Sequence, residues 1–143
     1  MKNIVVAVDL SNNSSALVEQ SVNLAKGFSS NVYLVHVENP NEDTSGREIA
    51  EGVEAVVKEY HEETELLNSL AQTIRGRGID THAVFVEGAI VEAVLEESLR
   101  LIADVIIAGT HCHNALEGFL LGSVSGGIVK RSPCPVLLVP LEK

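Results

Sequence analysis

Val105-Ile106-Ile107-Ala108-Gly109-Thr110 is an apolar, largely β-branched run that meets a glycine. Four consecutive apolar residues without polar alternation describe a strand buried on both faces, the kind found inside a parallel sheet. Ile4-Val5-Val6-Ala7-Val8, Val32-Tyr33-Leu34-Val35 and Val136-Leu137-Leu138-Val139 read the same way. Thr81-His82-Ala83-Val84-Phe85-Val86 alternates more and suits an edge strand. Helical periodicity fills the gaps between these runs. Leu17, Ser21, Leu24 and Phe28 share one helix face, as do Ile90, Val94 and Leu101. A longer stripe of Ile49, Val53, Val56, Tyr60, Leu67, Leu70 and Ile74 spans residues 47–74 and lapses only near Glu63. Strands alternating with helices predict a three-layer α/β domain with a five-stranded parallel sheet, and the flavodoxin-like order for such a sheet is 3-2-1-4-5. Residues 39–46, rich in Asn, Pro and acidic side chains, form the one long loop and the candidate for a mobile flap.

The 143 residues suffice for one domain, 1–143, with a single core. Apolar residues make up 45% and charged residues 21%, which fits a folded globular chain and excludes a disordered one. Acidic residues outnumber basic ones 20 to 10, and a net charge of −10 argues against a nucleic-acid surface or an anionic membrane as partner. The aromatics are three Phe and two Tyr, too few for base-stacking platforms. Ten of the acidic residues lie between Glu38 and Glu65 against two basic ones, a charge run that reads as the solvated face of the long helix. The first apolar run is too short for a signal core or a membrane span, and two cysteines make no disulfide framework. Both observations point to the cytoplasm.

In an open doubly wound sheet, ligands bind beyond the carboxyl ends of the strands where the strand order reverses. For the order 3-2-1-4-5 that point lies between the first and fourth strands, whose ends are Asp9 and Gly109. Gly122-Ser123 opens the short helix that follows. A helix N-terminus with unpaired N–H groups, a hydroxyl and no Cβ holds a small anion without a basic side chain. The alternative is that Gly109 and Gly122 serve backbone geometry alone, as turn and cap glycines.

The segment from Gly109 to Ser125 resembles the signature of the universal stress protein family. In that signature Gly, two residues, Gly, nine residues and Gly-Ser/Thr cradle the phosphates of ATP. The spacing from Gly109 to Gly122-Ser123 matches without a gap, and Leu120-Leu121-Gly122-Ser123-Val124-Ser125 follows the family's wording. Ile4 to Ser11, Leu34-Val35-His36-Val37 and Ser132 to Pro140 resemble the family's first, second and closing strands. The resemblance implies a Rossmann-like, adenine nucleotide alpha hydrolase-like fold and an adenine nucleotide ligand, ATP or a relative. Carried over residue by residue, it puts the backbone of Val37 at the adenine edge, and Asp9, with Val8 beside it, at the ribose or a phosphate-bound Mg²⁺. Gly109, Thr110, Cys112, Gly122, Ser123, Val124 and Ser125 then line the phosphates. It also implies a nucleotide-dependent stress regulator and a homodimer, paired through the edge strand Val136 to Val139.

Cys112 stands where the signature has its second glycine, so a Cβ and a sulfur replace open backbone. A dimeric interaction protein without nucleotide is therefore the second reading. A thiol or metal sensor at His111-Cys112-His113 is the third, although three consecutive residues do not converge on one tetrahedral ion. His36 and His82 lie within strands and read as packed, and Cys134 as a small core residue. No Walker lysine, Gly-x-Ser-x-Gly elbow or carboxylate pair appears at the expected crevice, so no catalytic residue is assigned.

Overall fold

The computed structural model describes residues 1–10, 14–39, 48–111 and 122–141, with backbone alone for 48–60 and 111. In chain order the elements are β1 (Asn3–Ala7), α1 (Ser14–Phe28), β2 (Asn31–Glu38), α2 (Glu48–Arg75), β3 (Thr81–Glu87), α3 (Ile90–Arg100), β4 (Val105–His111), α4 (Ser123–Arg131) and β5 (Val136–Leu141). The sheet order is β3-β2-β1-β4-β5, the flavodoxin-like order expected, and every neighbouring pair is parallel. Ile4 pairs with Val32 on one side and with Val105 on the other, which puts β1 and β4 at the centre.

Two-sided burial explains the unbroken apolar runs. Ile4, Val5, Val6, Ile106 and Ile107 have no exposed surface. One face of the sheet sets Ile4, Val6, Leu34 and Ile107 against Leu17 and Val22 of α1 and Leu67, Ala71 and Ile74 of α2. The other sets Val5, Val35, Ile106 and Ala108 against Val94 and Leu95 of α3 and Ile128 of α4. Two buried helix hydroxyls are satisfied within their own helices: Ser21 Oγ donates to the Leu17 carbonyl at 2.7 Å and Ser98 Oγ to that of Val94 at 2.8 Å. Among the described residues no helix is long and apolar enough to cross a membrane.

Three expectations change. Phe28 ends α1 with 54% of its surface exposed, because the helix face it shared with Leu17 runs past the edge of the core. His82 is not packed: its side chain is half exposed on the edge strand β3 and stacks on Tyr33 with ring centroids 5.1 Å apart. The fourth strand does not end at Gly109 but continues to His111 in register with Leu141 of β5. Of the expected flap only Asn39 lies within the described residues.

The start of β1 is fastened to the turn before β4. Asp104 Oδ2 accepts the backbone N–H groups of Lys2 at 2.6 Å and Asn3 at 2.9 Å, while Asp104 N–H donates to the Asn3 carbonyl at 2.8 Å. The Asn3 N–H, followed by that of Lys2, holds the Asp104 carboxyl below the usual carboxylate range. Just before it, α3 closes with paired C-terminal bonds, Ala103 N–H to Ser98 O and Ile102 N–H to Leu99 O. That closure puts Ile102 at φ 53°, a left-handed conformation normally given to glycine, with 77% of its surface exposed.

Ile102→Gly is expected to raise stability by about 1 kcal/mol, since the left-handed strain disappears and little apolar burial is lost. Urea unfolding at neutral pH checks it. A depressed carboxyl stabilises the fold above the ordinary carboxylate pKa, and that contribution fades as pH falls through the folded value. Asp104→Asn is therefore expected to be less stable than the parent at pH 7, with the difference closing below about pH 4. Unfolding curves at both pH values measure the gap.

Candidate functional site

β1 and β4 are adjacent, but their outgoing connections lead to helices on opposite faces of the sheet, so a cleft opens beyond their carboxyl ends. A cavity of about 790 Å³ occupies that place, within the usual range for small-molecule sites. Val8, Asp9, Val37, Gly109, Gly122, Ser123, Val124 and Ser125 all line it. These residues come from four elements and their flanks, brought together because the carboxyl ends of all parallel strands lie on one edge. Cys112 lies outside the described residues, as do His113 and the side chain of His111, so the proposed sensor triplet has no structural account here.

Helix α4 begins where the sequence puts it, with Gly122 as its N-cap at φ −66° and ψ 169°. That backbone suits any residue, so Gly122 contributes space. A Cβ there would come no nearer than 3.8 Å to Ser125 Oγ, and the surface is open to the cavity. Among the described residues no side-chain cap bond closes the helix start, and its first turn carries no acidic residue. The first N–H groups of such a helix have no acceptor within it and carry the positive end of its dipole.

Gly109 has a different role from the expected turn. It lies inside β4, and an added Cβ would fall 2.3 Å from Leu141 Cδ1 and 2.9 Å from Leu141 Cγ. Leu141, buried at the end of β5, fills the space that a side chain at 109 would need, and it forms part of the cavity wall. Thr110 is buried, its hydroxyl has no hydrogen-bond partner among the described residues, and it is not one of the residues that line the cavity.

Val37 lies near the end of β2, on the cavity wall. Val35 O accepts the Val8 N–H at 2.9 Å, so the backbone groups of Val35 face β1. Two residues on, Val37 turns its own backbone groups to the same side, beyond Ala7, the last residue of β1 in the ladder. An edge for a planar ring is thus left at the end of β2. Leu66 of α2, more than half exposed, lines the same cavity and adds an apolar surface.

Sequence reading missed the polar group at the centre of the cleft. His36 of β2 is buried among its neighbours and Glu63 of α2 reaches it, with His36 Nε2 2.7 Å from Glu63 Oε2. Glu38 Oε2 lies 3.5 Å from the same nitrogen. The other ring nitrogen, Nδ1, sits 2.8 Å from the Val8 carbonyl oxygen, which only accepts, so Nδ1 carries a hydrogen. Phe85 closes over the ring with centroids 5.4 Å apart. The acidic run is therefore not wholly a solvated face, for Glu38 and Glu63 belong to the cavity wall. The apolar stripe's lapse at Glu63 was the one local sign. With Asp9 they make three carboxylates on a described wall that contains no Lys or Arg.

The profile of the universal stress protein family matches residues 1–140. The chain belongs to the universal stress protein family. A universal stress protein of Methanocaldococcus jannaschii is 31% identical over 144 residues, covering 99% of this chain and 84% of that protein. Among solved structures, a universal stress protein from Archaeoglobus fulgidus in complex with dAMP has a TM-score of 0.68 at 19% identity, covering 97% of this chain and 98% of that one. A universal stress protein family protein from Arabidopsis thaliana with AMP bound has a TM-score of 0.67 at 18% identity, covering 98% of this chain and 92% of that one. At such identities the two structures share the fold with this chain.

Gly109→Ala is expected to cost about 1–3 kcal/mol, because the new methyl overpacks Leu141. In a Leu141→Ala background the same change should cost almost nothing. A double-mutant cycle by chemical denaturation measures the coupling.

Proposed function

We propose that this protein binds an adenine nucleotide, ATP or a shorter relative, in the cleft and acts as a nucleotide-dependent regulator in the stress response. The observation that carries the reading is the cavity at the β1/β4 switch point with the uncapped N-terminus of α4 in its wall. The complexes of relatives with dAMP and AMP support the same ligand class. In this reading the Val37 backbone meets the adenine edge and Asp9 the ribose or a phosphate-bound Mg²⁺. Ser123, Val124 and Ser125 offer N–H groups and hydroxyls to the phosphates. The role is binding without catalysis.

We also infer a cytoplasmic homodimer. Strand β5 is an edge of the sheet, and Leu137 exposes 38% of its surface there, which a second copy of the chain would cover. Pro140 within the strand limits how far such pairing extends. Cys134 is a free thiol, in keeping with a reducing compartment. The carboxylate-rich wall favours one second reading, a dimeric interaction protein that takes no nucleotide.

Titration calorimetry with AMP, ADP and ATP in the presence of Mg²⁺ separates the two. Saturable binding of one nucleotide per chain is expected, and no uptake at millimolar concentration would leave the second reading. Gly122→Asp supplies a good helix N-cap while placing a carboxylate where the phosphates bind. That variant is expected to melt no lower than the parent and to bind nucleotide about tenfold more weakly or worse, a change of ~1.4 kcal/mol.

A further inference from the structure

We propose that His36, Glu38 and Glu63 form a binding site for a divalent metal ion of the zinc class, open to the cleft. One ligand atom from each residue, His36 Nε2 and a carboxylate oxygen from each glutamate, lies within 4.8 Å of the other two. The three side chains are 8%, 7% and 19% exposed, so the cluster is sheltered but reachable from the cavity that all three line.

The ring is already oriented as a ligand. Its Nδ1–H donates to the Val8 carbonyl, which leaves the Nε2 lone pair for a metal and is the outer-shell bond that metal-bound histidines usually make. Phe85 on β3 packs against the ring and restricts its rotation. A bare Nε2 lone pair 2.7 Å from a carboxylate oxygen is repulsive, so a proton or a metal cation must stand between His36 and Glu63.

The spacing suits a small ion. Bonds of 2.0–2.1 Å in tetrahedral geometry hold ligand atoms about 3.4 Å apart. Glu38 Oε2 is at 3.5 Å from Nε2, and Glu63 Oε2 at 2.7 Å has to withdraw by only about 0.7 Å, a side-chain adjustment. An imidazole with two carboxylates selects zinc and its neighbours over Mg²⁺ or Ca²⁺, which favour all-oxygen sites. Three protein ligands leave a fourth position on the cavity side, for water or for a donor atom of a bound molecule. The ion also brings positive charge to a described wall without Lys or Arg. The proposal holds whether or not a nucleotide binds.

The test uses the tag-free full chain, stripped with chelator and free of nucleotide. Zn²⁺ is titrated in competition with a chromogenic chelator, and Co²⁺ binding is followed by its visible spectrum. One equivalent of Zn²⁺ is expected, weakened more than about 100-fold in Glu63→Gln, beyond what loss of an outer-shell partner costs. Cys112→Ser should bind as the parent does, and the Co²⁺ form should lack a thiolate charge-transfer band. Glu63→Gln preserves size and a polar partner for His36, so circular dichroism should show it folded. Absence of stoichiometric Zn²⁺ binding, unchanged affinity in folded Glu63→Gln, or a thiolate band assigning the metal to Cys112 would each overturn the proposal.

Discussion

Direct parallel pairing of β1 with β4, from Ile4 with Val105 to Val6 with Ile107, is the constraint on which the molecule turns. Their paired central residues are buried on both faces, so these must be apolar and cannot carry polar chemistry. Whatever chemistry the protein has is pushed to the strand ends. Their following helices diverge, α1 to one face and α4 to the other, and the carboxyl ends cannot be covered from both sides at once. The cleft is therefore a consequence of how the core is built.

Within that cleft the two faces of the sheet contribute differently. From the α4 side come small residues and a helix start, Gly122 to Ser125, which present backbone rather than charge. From the α2 side come His36, Glu38 and Glu63, which present charge at short range. The arrangement sets an electropositive backbone end against an electronegative side-chain end, and a ligand with both anionic and uncharged parts is the kind that uses each.

The strand runs and the helical segments between them were largely readable in the chain, because strands buried on both faces and amphipathic helices leave different periodicities. The place of the site was readable too, since strand order fixes where the cleft opens, and Gly122 opens α4 as its sequence suggests. Individual side chains were less so. Thr110 follows Gly109 directly, yet Gly109 is on the cavity wall and Thr110 is not. Gly109 looked like a turn residue, and it is a packing residue whose partner, Leu141, lies 32 positions away on another strand.

By itself the sequence determined a parallel α/β architecture, its strand runs, and the short helix whose start faces the cleft, because these depend on local period and on the exclusion of polar groups from a two-sided core. Only the tertiary structure decided that His36 meets Glu63 across 27 positions, that Glu38 joins them, and that part of the acidic run turns inward. The reason is geometric. The local pattern says that α2 covers the sheet, while which of its turns crosses the end of β2 depends on how α1, α2 and the strands pack together.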